Sequence, residues 1–124
     1  MIGYVTMGTN DLERAAKFYD ALFAEVGGKR FMESERFVAW GTGPGEKAAG
    51  FGITKPFDGN AATVGNGVMV ALVLDSNDKV DKLYNKALSL GATDEGKPGP
   101  RGDSFYAGYF RDLDGNKLNC FCMR

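Results

Sequence analysis

Gly3-Tyr4-Val5-Thr6-Met7-Gly8-Thr9-Asn10-Asp11-Leu12-Glu13-Arg14-Ala15-Ala16-Lys17-Phe18-Tyr19 runs from an alternating, strand-like segment directly into a helical one. Leu12, Ala15, Ala16, Tyr19, Leu22, Phe23 and Val26 recur at three and four, which makes one apolar stripe. Asn10 reads as the cap with Glu13 completing a capping box, and Gly27-Gly28 as the stop. Three short strands separated by Gly-rich turns follow between Phe31 and Thr54.

The same grammar restarts at Gly67. Val68, Val70, Leu72 and Leu74 make an apolar row suited to packing on a helix, with Gly67, Met69, Ala71 and Val73 on the opposite face. Ser76 or Asn77 caps a second helix that turns Val80, Leu83, Tyr84, Ala87 and Leu88 inward and stops at Gly91. An offset of 65 carries Tyr4 to Met69 and Tyr19 to Tyr84. Aligning the turn Gly43-Pro44-Gly45-Glu46-Lys47 with Leu113-Asp114-Gly115-Asn116-Lys117 raises the offset to 70, which assigns about five extra residues to the Gly99–Asp103 region. It also matches Ala49 to Asn119 and Lys47 to Lys117.

The chain therefore reads as α+β: two βαβββ modules, 1–56 and 67–124, joined by a linker at 57–66 into one domain. A lone module leaves an apolar face uncovered, so the expectation is a curved mixed sheet around a cavity with its helices outside. Leu118, Cys120 and Cys122 fall on the helix side of the last strand, and Lys117, Asn119 and Phe121 on the cavity side.

Bulk properties narrow the function. A formal charge of −1 and a pI near 5.4 provide no field for phosphate backbones or anionic lipid, so neither nucleic acid nor membrane is expected as a partner. No run approaches the roughly 20 apolar residues of a membrane span, and the N-terminus lacks a signal-peptide pattern, which predicts a cytoplasmic protein. Cys120 and Cys122 read as buried free thiols. With no histidine, a hydrolytic triad of the usual form is excluded. Asp112-Leu113-Asp114-Gly115 imitates a calcium loop, but Lys117 and Met123 occupy its glycine and glutamate places.

Gly3-Tyr4-Val5-Thr6 leading into Asn10–Ala15 and Phe18-Tyr19, together with Tyr109-Phe110-Arg111-Asp112-Leu113-Asp114-Gly115-Asn116-Lys117-Leu118, resembles the opening and closing signatures of the vicinal oxygen chelate superfamily. That group takes in glyoxalases, bleomycin-resistance proteins and extradiol dioxygenases. The resemblance covers nearly the whole chain and implies a ligand pocket and a homodimer. Metal-dependent members place ligands on the first strand of each module and on the last strand. Those places fall on Tyr4, Met69 and Asn119, a phenol, a thioether and an amide, which suit a divalent cation poorly. The expectation is thus no metal and no cofactor.

What the resemblance leaves is a small organic ligand in the sheet cavity, contacted by Tyr4, Trp40, Ala49, Met69, Arg101, Asn119 and Phe121. Tyr4 and Asn119 would orient a carbonyl or carboxylate, and Arg101 would clamp an anionic group. Tyr106 and Tyr109 fall on opposite faces, so at most one reaches the cavity. Two alternatives stand beside this reading: a glyoxalase-like lyase or isomerase with Tyr4 as its candidate catalytic residue, and a non-catalytic dimeric interaction module.

Overall fold

The first helix begins at Asp11 and not at Asn10: the Asp11 carboxylate accepts from the Arg14 N–H at 3.0 Å. Asn10 is diverted, its side chain accepting from the Ala62 N–H at 2.7 Å and donating to the Ala62 carbonyl at 3.1 Å. In this computed structural model, which describes residues 1–43 and 48–124, the order is β1 (Tyr4–Gly8), α1 (Leu12–Ala24), β2 (Lys29–Glu33), β3 (Phe37–Gly41), β4 (Gly50–Thr54), β5 (Val70–Val73), α2 (Asn77–Ser89), β6 (Thr93–Pro100), β7 (Phe105–Arg111) and β8 (Lys117–Met123).

These elements form two compact units, Met1–Val64 and Gly65–Arg124, each βαβββ. The fold is α+β, with the strands in two four-stranded mixed sheets, β1-β4-β3-β2 and β5-β8-β7-β6, one to each unit. Each unit satisfies its own backbone: the first strand runs parallel to the last, and the remaining pairs are antiparallel.

Each helix covers one face of its own sheet. α1 buries Ala15, Ala16, Phe18, Tyr19, Leu22 and Phe23, and Tyr19, Phe23, Trp40 and Phe51 join in an aromatic cluster with ring centroids 4.7 to 5.8 Å apart. α2, capped by Ser76, buries Val80, Leu83, Tyr84 and Ala87, while Phe110, Leu118, Cys120 and Cys122 are buried on the helix side of β7 and β8. Both cysteines are free. The helices stop where glycine takes positive φ, Gly27 at 76° and Gly91 at 105°, and the next amide reaches back, Gly28 to the Phe23 carbonyl and Ala92 to that of Ala87.

Strand register corrects one alignment. Val5 pairs with Phe51 and Val70 with Leu118, so the first strands and the helices are related by 65 but the last strands by 67. Ala39 pairs with Gly52 and Tyr109 with Asn119, which relates β3 to β7 by 70. The second unit thus gains five residues before β7, as the sequence suggests, and has three fewer between its last two strands. An even offset carried into β8 would move every side chain to the wrong face. The counterpart of Asn119 is therefore Gly52, and not Ala49. The proposed match of Lys47 to Lys117, and most of the turn at 43–47, fall on residues 44–47, outside the described residues.

Candidate functional site

The face of β8 turned away from α2 carries Lys117, Asn119 and Phe121 in a row, an ammonium, an amide and an aromatic ring at intervals of roughly 6.8 Å. β7 sets Phe105, Ala107, Tyr109 and Arg111 beside them, and β5 contributes Ala71 and Val73. Phe105 stacks on Phe121 with centroids 5.2 Å apart and an interplanar angle of 22°. Ala71 is exposed on this face and Ala107 is fully buried.

Asn119 is 2% exposed, and its Oδ1 has no hydrogen-bond partner among the described residues. Leaving such an acceptor buried and unsatisfied costs about 1–3 kcal/mol, so the arrangement calls for an external donor. Directly across the strand pair, the Tyr109 ring has the Arg101 guanidinium and the Lys117 ammonium each 5.6 Å from its centroid. Arg101 is seated by backbone: it donates to the Lys97 carbonyl at 2.8 Å and the Pro100 carbonyl at 3.2 Å. Gly96 and Gly99 make its room, since a Cβ at Gly99 would stand 3.2 Å from one guanidinium nitrogen and a Cβ at Gly96 3.5 Å from the other. Among the described residues neither Arg101 nor Lys117 has a carboxylate partner. Arg111, on the same face, is paired with Glu95.

Tyr4 lies on the corresponding face of the first unit, 64% exposed, edge-on to Phe37 at 6.4 Å. Phe31 and Phe37 lie over glycine there: a Cβ on Gly50 would meet Phe31 at 2.9 Å, and one on Gly52 would meet Phe37 at 2.5 Å. Met69 is exposed just before β5, and Ala49 is exposed just before β4.

Trp40 departs from the expectation that it lines a ligand site. It is on the helix face of its strand, 2% exposed, its indole N–H donating to Asp20 at 2.8 Å. The Arg30 guanidinium and this indole hold the Asp20 carboxyl below the usual carboxylate range. Tyr106 likewise faces α2 and donates to Asp81 at 2.7 Å, leaving Tyr109 as the tyrosine on the far face. Sequence reasoning passed over Phe105; counting by twos from Tyr109 through Ala107 would have found it. Two surface clefts, about 320 Å³ beside Asp75–Asp78 and Cys122–Arg124 and about 240 Å³ beside Thr9, Asn10, Arg36 and Lys55, are lined by none of the expected site residues.

Asp112 closes the hairpin that delivers the β8 row. Its Oδ1 accepts from the N–H groups of Asp114 and Asn116, both at 2.9 Å, and its Oδ2 from the Asn116 amide at 3.1 Å. Gly115 takes φ 88° and donates to the Asp112 carbonyl at 3.0 Å. This is the physical basis of the Asp-x-Asp-Gly-Asn signature. The profile of the Glyoxalase/Bleomycin resistance protein/Dioxygenase superfamily matches residues 1–120.

The chain belongs to this superfamily. It is 34% identical to a glyoxalase/bleomycin resistance protein of known crystal structure from Albidiferax ferrireducens, with a TM-score of 0.89 over 100% of this chain and 99% of the other. A glyoxalase/bleomycin resistance protein/dioxygenase family enzyme from Burkholderia phytofirmans is 21% identical at a TM-score of 0.74, over 98% of each chain. A lactoylglutathione lyase from Agrobacterium tumefaciens is 18% identical at 0.71, over 98% of this chain and 92% of that one. These last two share the fold. No curated protein matches the sequence significantly.

Metal-dependent members of the superfamily invite a test of fit for a cation here. The positions that the family resemblance assigns to ligands fall on Tyr4 in the first unit and Met69 and Asn119 in the second, and among the described residues there is no cluster of three His, Cys, Asp or Glu. A phenol, a soft thioether and a neutral amide are poor donors for a hard divalent ion. The donors do not fit.

Proposed function

We propose that this superfamily member binds a small organic molecule on the sheet face that bears Asn119, and that it does so without a metal. The buried Asn119 Oδ1, without a partner among the described residues, carries the reading, because an acceptor desolvated in the middle of a β-sheet face is stabilised by a donor from outside the sheet. Phe121 and the exposed Ala71, which pairs with Asn119, supply apolar surface beside it. Met69, exposed just before β5, adapts to varied shapes. Arg101 lends positive charge.

A panel of hydrophobic carboxylates and aromatic drugs, titrated into 15N-labelled protein, tests this. The expected result is saturable shifts of the Ala107, Asn119 and Phe121 amides with at least one compound, lost in Asn119→Leu. Unmoved amides across the panel would reject it.

A further inference from the structure

Resting on that binding site, we infer its ligand class: an organic anion with an aromatic tail and an N–H or O–H donor between the acid and the ring. Lys117, Asn119 and Phe121 take alternate positions on β8, with Asn119 central. The Lys117 ammonium and the Arg101 guanidinium each lie 5.6 Å from the Tyr109 ring, which pairs with Asn119, so two positive groups with no described carboxylate partner stand beside the amide. Towards Phe121 the Phe105 and Phe121 rings lie stacked and partly exposed, a platform for a third ring. Between charge and ring, the Asn119 Oδ1 is an acceptor, which favours a ligand that donates there.

Arg101 is held for this task and not merely attached to the surface. Two of its five N–H donors are spent on the Lys97 and Pro100 carbonyls, which fix the plane of the guanidinium and leave others for an oxyanion. Gly99 beneath it leaves room, since a Cβ there would stand 3.2 Å from a guanidinium nitrogen.

N-Benzoylglycine is a suitable probe, since it has a phenyl ring, a central N–H and a terminal carboxylate. It would be compared with its neutral carboxamide and with benzoyloxyacetate, in which an ester oxygen replaces the N–H. We expect N-benzoylglycine to shift the Tyr109, Asn119 and Phe121 amides, with affinity reduced about tenfold by either chemical change and by either Lys117→Met or Arg101→Gln. Raised salt should weaken the acid and leave the carboxamide unaffected. Equal affinity of acid and carboxamide would overturn the inference while leaving a binding site in place. Failure of N-benzoylglycine when another panel compound shifts Asn119 would do the same, and silence from every compound would remove both readings.

Discussion

Gly52 and Asn119 hold the same register position in the two units, opposite Ala39 in one sheet and Tyr109 in the other. One has no side chain and is overlain by Phe37; the other projects an amide with an unsatisfied oxygen. Duplication has given one place in the fold two chemistries.

Asn119→Leu should leave the ligand-free protein as stable as before or up to about 2 kcal/mol more stable, because it removes a buried acceptor that nothing satisfies. Urea unfolding measures this. A loss of more than about 1 kcal/mol would show that Oδ1 is satisfied in solution.

Gly52→Ala should destabilise by about 1–3 kcal/mol, since its methyl would stand 2.5 Å from a Phe37 ring carbon and 3.3 Å from the Val38 carbonyl oxygen. In a double-mutant cycle with Phe37→Leu much of that loss should be recovered, which separates a ring clash from a backbone clash.

Much of this molecule was legible in the chain. The helix stripes, the βαβββ repeat and the alternation of β8 follow from periods of 3.6 and 2, which local sequence encodes. The inserted residues before β7 were legible as well. The return from an offset of 70 to 67 was not, because turns of similar composition align by eye while strand pairing alone counts the residues between them. Asn10 and Asp11 were confused for a related reason: both can cap, and the choice depends on Ala62, some 50 residues away. Tyr4, Asn119 and Phe121 were placed on the correct faces by alternation, but Trp40 was expected at the cavity and lies on the helix face, where its indole donates to Asp20 on α1. The two cations around Tyr109 were invisible for the same reason, since a β-hairpin had to bring Arg101 back over its own strand.

Asp112→Ala should cost about 2–3 kcal/mol, since one carboxylate accepts from two main-chain amides and one side-chain amide in the final hairpin. Asp112→Asn should retain part of this, as the amide oxygen can still accept. Urea midpoints of the two variants give the comparison.

Alkaline stability should depend on Tyr84 and Cys120. Burial, then the hydrogen bond to Asp94, pushes the Tyr84 phenol up to about 12, and burial pushes the Cys120 thiol up to about 12. The unfolded chain titrates these groups nearer 10 and 8.5. Above those values it binds fewer protons than the native state, so the stabilisation is fully present below about pH 8.5 and is lost as pH rises towards 12. Unfolding free energy followed from pH 8 to 12 should fall, and the fall should be shallower in Tyr84→Phe.

The clasp formed by Asp112 draws its strength from its own five residues, so the outward row of the final strand is insulated from the joint that holds it. Lys117, Asn119 and Phe121 can be exchanged as a three-letter word without rewriting the hinge. A graft of three foreign residues there, leaving Asp112 to Asn116 untouched, should redirect the protein to a new guest while the scaffold melts much as before.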